Sequence, residues 1–241
     1  MTEPPHMNAY QRFTKSIQKR GLLMTAALAV KMVGVACSKI ADRWFDFRHG
    51  TDTRRLIELE HLDIASDNKT FGMRYEVTRA RPFRKLLDKL DLSRDGVFVD
   101  FGSGKGRVLM MAAELGFARI VGVEFSQELC DVARKNLAAF RAKSRLDVDI
   151  QIFEMDVVDY EIRPVENVFF MFNPFDSEIM RIIVDKIARS VYDHPRKTWL
   201  IYQYPECRDA IDANELFELT GRHQWGGCEF LVYEVCENLT R

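Results

Sequence analysis

A glycine-rich loop between an apolar run and a helix is the feature of this chain that most constrains its fold. The apolar run Val97–Phe101 leads into Asp-Phe-Gly-Ser-Gly-Lys-Gly-Arg at residues 100–107, and a helix is predicted from Arg107 to Leu115. Glycines in such a loop adopt backbone angles that other residues avoid, and the start of the helix offers free N–H groups. The pattern therefore predicts a ligand-binding turn between a parallel strand and a helix.

The same alternation continues towards the end of the chain and predicts a sheet with helices on both faces. Further apolar runs begin near residues 119, 148, 168 and 198, with helices predicted at 127–140 and 177–191. Strands that alternate with helices in this way form parallel βαβ units. The last two runs, Phe217–Gln224 and Glu229–Val235, are separated by two glycines. That is hairpin spacing, so one of these two strands should run antiparallel.

The first part of the chain is predicted to be helical. Gln11–Phe47 has a helical pattern with a break expected near Gly21 or Gly34, and Pro82 suits the first turn of a helix that ends near Leu90. We therefore expect a helical N-terminal extension or cap at residues 1–94, followed by an α/β domain at residues 95–241.

Composition and charge exclude several classes of protein. Hydrophobic residues make up 47% of the chain and charged residues 29%, which is a globular balance. The net charge of -1 gives no strong signal for nucleic-acid binding. The five cysteines lack a C-x-x-C pair and the histidines are scattered, so neither disulfides nor a metal site are predicted. A reducing, cytoplasmic compartment fits this cysteine usage.

The segment Gly21–Ile40 raises the question of membrane contact, because it is largely apolar and has basic flanks. Lys31 lies in its middle, where a charge costs about 2.5–3.5 kcal/mol in a spanning helix. We expect the stretch to pack on the domain or on a partner, and peripheral membrane contact through residues 15–43 is the alternative. The charge balance is +7 over residues 1–94 and -8 over the rest. This asymmetry hints at an anionic partner for the first part, although a solvated basic face is the favoured interpretation.

Acidic residues follow three successive apolar runs and indicate the ligand. Glu124 lies 22 positions beyond Gly102, where an acid accepts hydrogen bonds from ribose hydroxyls. Asp100 stands directly before the glycines, where it would repel a pyrophosphate and attract a cationic amino-acid group. Asp156 follows the third run and could accept from an adenine amino group. Three acids in these places fit S-adenosylmethionine.

These residues resemble those of class I S-adenosylmethionine-dependent methyltransferases over about residues 95–241. The resemblance implies an α/β fold with a seven-stranded Rossmann-like methyltransferase sheet of order 3-2-1-4-5-7-6, strand 7 antiparallel and helices on both faces. It implies S-adenosyl-L-methionine as cofactor, S-adenosyl-L-homocysteine as product and no metal. The cofactor-binding residues that it implies are Asp100, Gly102, Ser103, Gly104, Gly106, Glu124, Phe125, Asp156, Val157, Asn173 and Tyr75. The whole chain is also similar to a bacterial group of such enzymes, through Arg48–Thr53 among other segments, but that likeness implies no particular acceptor.

Asn173-Pro174-Phe175 resembles the Asn-Pro-Pro-Tyr/Phe signature of amino-group methyltransferases, although one proline is missing and Asp176 follows. The resemblance implies that these three residues are catalytic and that Asn173 accepts hydrogen bonds from a nitrogen. A plain strand-to-helix turn with Asp176 or Ser177 as helix cap is the other interpretation.

Three functions remain open at the level of the sequence. Similarity to non-SET lysine methyltransferases through Asp-x-Gly-Ser-Gly favours a protein lysine side chain as methyl acceptor. A small-molecule N- or O-methyltransferase is the first alternative. The second is a cofactor-binding protein that docks on a membrane or an acidic partner through its basic N-terminal region.

Overall fold

A seven-stranded sheet forms the centre of the molecule, of which the computed structural model describes residues 21–54 and 77–235. The strands are β1 Val97–Phe101, β2 Arg119–Glu124, β3 Asp149–Glu154, β4 Glu166–Phe172, β5 Trp199–Gln203, β6 Phe217–Trp225 and β7 Cys228–Val235. Their order is β3-β2-β1-β4-β5-β7-β6. β7 is antiparallel to both its neighbours and the other pairs are parallel. The predicted methyltransferase sheet and its antiparallel hairpin strand are confirmed.

Helices cover both faces of this sheet. In the described ranges they are α1 Leu22–His49, α2 Ala80–Lys89, α3 Arg107–Glu114, α4 Gln127–Ser144, α5 Ser177–Asp193 and α6 Asp209–Asp212, with a 3-10 turn at Val157–Asp159. One apolar core lies between the sheet and α2, α3 and α4, together with the end of α1. The other lies between the sheet and α5 and α6.

The central strands are buried on both faces, which explains their continuous apolar sequences. All five residues of β1 are buried. Phe98 faces the first core, whereas Val99 and Phe101 face the second, because successive strand side chains point to opposite faces. Asp100 is the charged residue of this strand and is 2% exposed. A charge in such a position calls for a functional explanation.

Helix α1 corrects one detail of the sequence prediction. It runs unbroken through Gly34, so the break predicted there is wrong. A glycine inside a helix costs only about 1 kcal/mol, which a helix of this length tolerates. Gly21, with φ 80°, precedes the first turn, and Gly50, with φ 69°, ends the helix in the left-handed conformation. The predicted helical residues before Gly21 lie outside the described part of the chain.

Among the side chains of α1 that the structure describes, those that pack on the domain lie in its last two turns. Phe45 is 1% exposed and joins the first core. Asp42 and Asp46 are also buried. By contrast, Met24 and Val33, which belong to the stretch expected to pack, are 65% and 63% exposed. Within the described ranges no helix is long and apolar enough to cross a membrane.

Helix α2 follows the prediction closely. It begins at Ala80, so Pro82 stands in its first turn, where a missing N–H costs nothing. Phe83, Leu86 and Leu87 are fully buried on one face, as their spacing predicts. Their contacts extend the first core beneath the sheet.

Candidate active site

The glycine loop after β1 adopts the conformation that its sequence predicts. Gly102, Gly104 and Gly106 have φ angles of 74°, 51° and 79°, all in the left-handed region that favours glycine. The backbone N–H groups of Gly102 and Ser103 both donate to the carbonyl oxygen of Val123, at 2.9 and 3.1 Å. These two bonds tie the loop to the end of β2.

Glu124 is held directly against this loop. Its Oε2 accepts from the backbone N–H of Gly104 at 2.9 Å, and its Oε1 accepts from that of Ser126 at 3.0 Å. The side chain is 4% exposed. Burial raises the pKa of the Glu124 carboxyl, and the N–H groups that it accepts from oppose that rise only in part.

Asp100 lies at the end of β1 and is a second buried carboxyl of the site. Burial raises its pKa well above the usual range, and the negative charge of Glu124 adds to the rise. A cation bound near these two carboxyls would stabilise their ionised forms. The pair therefore favours a positively charged ligand.

Ser103 is 5% exposed, and its hydroxyl has no hydrogen-bond partner among the described residues. A buried hydroxyl without a partner is costly unless a ligand satisfies it. Together with the two buried carboxyls and the left-handed glycines, this hydroxyl fits S-adenosylmethionine, which carries a sulfonium, an ammonium and a carboxylate.

The acid predicted to follow β3 lies beside a short turn. Asp156 is half-buried, and its Oδ1 accepts from the backbone N–H of Val158 at 3.0 Å. Val157 is 6% exposed, and Phe125, which follows Glu124, is half-buried. β3 pairs with β2 in parallel, so these residues and Glu124 lie at the same edge of the sheet. Tyr75 lies outside the described residues.

The turn after β4 brings Asn173, Pro174 and Phe175 to the same edge. Asn173 has φ 38°, a left-handed conformation that asparagine tolerates better than most residues. A Cβ on Gly102 would lie only 2.7 Å from the Cβ of Pro174, so this turn packs directly against the glycine loop. Phe175 is 8% exposed. Asp176 caps α5, since its Oδ1 accepts from the N–H groups of Glu178 and Ile179.

Tyr202 fixes the side chain of Asn173, a contact that the sequence does not reveal. Its hydroxyl donates to Asn173 Oδ1 at 2.6 Å and accepts from the backbone N–H of Cys207 at 3.2 Å. Tyr202 is fully buried, and burial raises its pKa. The neutral hydroxyl therefore keeps its proton for Asn173.

Gln203 is another residue that sequence analysis missed. It ends β5 beside Phe172 and is 1% exposed, and neither its Oε1 nor its Nε2 has a hydrogen-bond partner among the described residues. An amide in an otherwise apolar strand was the signal available in the sequence. Next to it, Tyr204 has φ 50° and stacks on Phe172 with ring centroids 5.2 Å apart.

A metal centre is not formed by the described residues, where no group of three or more His, Cys, Asp or Glu side chains could hold an ion. Four cysteines, Cys37, Cys130, Cys207 and Cys228, are free. Burial raises the pKa of Cys130 to about 12, so this thiol stays protonated at neutral pH.

Comparison with known proteins points to one class of enzyme. Residues 67–162 match the family model described as "Histone methylation protein DOT1", which is less than half of the chain. An uncharacterised protein of Methanocaldococcus jannaschii is 25% identical over 126 residues, 44% of this chain. The chain spans 55% of the length of that curated relative.

Solved structures share the fold. An RNA methyltransferase from Salinibacter ruber, in complex with S-adenosyl-L-homocysteine, is 18% identical, with a TM-score of 0.50 over 67% of this chain and 95% of that one. A SAM-dependent methyltransferase from Aquifex aeolicus is 13% identical, with a TM-score of 0.51 over 65% of this chain and 90% of that one. Likeness at this level of identity shows the fold.

Sheet order, glycine loop, acidic residues and family match agree with one another. The chain has the fold of class I S-adenosylmethionine-dependent methyltransferases.

Proposed function

We propose that this protein is an S-adenosylmethionine-dependent methyltransferase that acts on a nitrogen, and that the acceptor is the side-chain amine of a protein lysine. The observation that carries the proposal is the left-handed turn at Asn173, whose Oδ1 is oriented by Tyr202. This turn packs on the glycine loop through Pro174. Acceptor and cofactor sites are thereby joined at one edge of the sheet.

The cofactor-binding roles follow from the chemistry of each position. When bound, S-adenosylmethionine supplies a methyl group on a sulfonium. Asp100 and the loop of Gly102, Ser103, Gly104 and Gly106 would hold the methionyl end, and Glu124 the ribose hydroxyls. Phe125, Asp156 and Val157 would bind the adenine ring and its amino group. Tyr75 remains a predicted cofactor contact.

Asn173 is suited to orient an amine. Its Oδ1 takes one hydrogen bond from Tyr202 and keeps a second lone pair that an amine N–H can donate to. An amine whose N–H donates to Asn173 would be oriented so that its nitrogen lone pair points at the methyl group of the cofactor. The protein contributes placement, since attack on a sulfonium needs little covalent chemistry from side chains.

Gln203 adds a second polar group near the acceptor turn. Its buried amide offers one acceptor and two donors without partners among the described residues. We place it at the acceptor side because its strand neighbour Phe172 directly precedes Asn173. A peptide group beside the target lysine would satisfy both of its polar atoms.

The family match supports a protein as acceptor but covers only part of the site. The name of that family refers to histone methylation, and the match ends at residue 162, before the Asn173 turn. The family match therefore supports the assignment of the cofactor-binding residues, whereas the assignment of the acceptor rests on the turn at Asn173.

A labelling experiment tests the proposal. Methyl-labelled S-adenosylmethionine and the full chain are incubated with a lysate, and labelled proteins are analysed for methyllysine. We expect label in protein, and Asn173→Ala should lower turnover by about 10²-fold with cofactor affinity nearly unchanged. Asn214→Ala is the matched control, because Asn214 bonds Asp185 on an exposed surface. Label only in small molecules would favour the small-molecule alternative, and none in any fraction would favour the docking protein.

A further inference from the structure

The exposed side of α1 carries an apolar stripe, formed by Val30, Val33, Ile40, Trp44 and Phe47. These side chains are 73%, 63%, 66%, 55% and 83% exposed. They recur at helical spacing and so lie along one face. Residues of the last two turns that face the domain, such as Phe45 and His49, are buried on the opposite side. The stripe is thus unpartnered within the described part of the chain.

Among the side chains of α1 that the structure describes, the exposed charges beside the stripe are positive. Lys39, Arg43 and Arg48 are exposed. The two acids of the helix, Asp42 and Asp46, are buried and bind Arg107 at 2.8 and 3.4 Å. The sequence extends this asymmetry, since six basic residues and no acid occur between Pro4 and Ala41.

Arg48 connects the stripe to a basic cavity. Its guanidinium carbon lies 5.2 Å from the centroid of the Trp44 ring. It also lines a surface cavity of about 310 Å³, together with His49, Glu114, Lys143, Ser144 and Leu146. Glu114 pairs with Arg84, so its charge is offset. The cavity can therefore take an anionic group such as a phosphate.

We propose that α1 lies on the surface of an anionic membrane, with the apolar stripe at the boundary between headgroups and acyl chains. Basic residues beside an apolar helix face attract anionic lipid. An exposed tryptophan such as Trp44 can insert at the membrane interface and anchor the helix there. A second copy of this chain fits less well, because Lys39 and Arg43 of two such helices would repel each other. The occupant is accordingly a lipid surface, and the catalytic domain would sit beside it.

Vesicle flotation of the full chain tests the proposal. We expect the protein to float with vesicles rich in phosphatidylglycerol, to bind phosphatidylcholine vesicles far less and to come off as salt is raised. Trp44 emission should shift to the blue on binding, since Trp44 is exposed whereas Trp199 is buried and Trp225 is half-buried. The shift should vanish in Trp44→Phe.

Substitutions on the exposed face of α1 distinguish this proposal from non-specific membrane association. Ile40→Ser and Phe47→Ser should each lower the partition coefficient by about tenfold or more. Lys39→Gln and Arg43→Gln should each lower it about fivefold. Tyr192→Ser, at a 74% exposed aromatic on α5, is the matched control and should change nothing.

Three results would overturn the proposal. The full chain fails to float with anionic vesicles, the Ile40 and Phe47 variants bind as the parent does, or light scattering shows a dimer that Phe47→Ser converts to a monomer. The last result would assign the apolar stripe to a second copy of the chain.

Discussion

Asp100 and Glu124 are carboxyls that the fold removes from water at the ends of neighbouring parallel strands. Burial raises the pKa of both, and the charge of Glu124 raises the pKa of Asp100 further. Without a cation the protein holds these groups at a cost in stability. A positively charged ligand offsets that cost, so the two residues connect cofactor binding to pH.

Asp100→Asn should change how stability depends on pH. An aspartate in the unfolded chain titrates near pH 3.9, and the pKa of folded Asp100 lies well above that. Between the two pKa values the folded state binds more protons, so the free energy of unfolding falls as pH rises. The substitution removes this titrating carboxyl, so the free energy of unfolding of the variant should decrease less as pH rises. The variant should therefore be more stable than the parent at pH 8.

Urea unfolding at pH 5 and pH 8, without cofactor, measures this difference. The same variant should bind S-adenosylmethionine more weakly, because the carboxylate that favours its cationic groups is gone. Equal pH dependence in parent and variant would show that the Asp100 pKa is not raised in the folded state.

Tyr202→Phe isolates the hydroxyl that orients Asn173. We expect turnover to fall about tenfold with cofactor affinity unchanged, since a positioning hydrogen bond is lost while the ring still packs. Tyr233→Phe is the matched control, because Tyr233 is equally buried and bonds Asp212 at 2.8 Å. Steady-state kinetics with the labelled acceptor compares the two, and equal losses would remove the special role of Tyr202.

At the scale of elements, one buried ion cluster joins α1 to the helix that follows the glycine loop. Arg107, 2% exposed, bonds Asp42 at 2.8 Å and Thr53 Oγ1 at 2.6 Å. Asp42 also accepts from the N–H of Ala80 at 3.0 Å, which adds α2 to the cluster. The position of α3, and with it the glycine loop, depends on this contact.

Arg107→Met should destabilise the protein by about 3–5 kcal/mol, because it leaves buried Asp42 without its counter-ion. Arg134→Met should cost about 1 kcal/mol or less, since the Arg134–Asp131 pair is exposed to solvent. Urea midpoints of the two variants give the comparison. Similar small losses in both would mean that the cluster does not hold α1 to the domain.

Elements with strong local patterns could be predicted from the sequence. The strands of β1 to β5, the hairpin of β6 and β7, and α2 follow from apolar runs, glycines and Pro82. The exposure of the apolar part of α1 could not be predicted, because an amphipathic pattern does not show which surface covers the apolar face of a helix. The bond between Tyr202 and Asn173 depends on the register of β5 on β4, which local sequence does not encode.

For the whole molecule, the strand order places the site. β1 and β4 are central neighbours from which the chain proceeds in opposite directions across the sheet. Ligands of such sheets bind at this crevice, beyond the carboxyl ends of the strands. The loop after β1, the acid after β2 and the turn after β4 all lie there. The basic, apolar face of α1 forms a separate surface, so catalysis and membrane binding can be tested independently.

Calorimetric titration of the full chain with S-adenosylhomocysteine tests the central claim most directly. The parent should bind, and Glu124→Ala should lower the affinity about 30- to 1,000-fold, since losing charge-assisted hydrogen bonds in a buried site costs about 2–4 kcal/mol. Glu218→Ala, at an exposed position of β6, is the matched control and should bind like the parent. Unchanged affinity in a folded Glu124→Ala variant, or no binding by the parent, would contradict the assignment of this site.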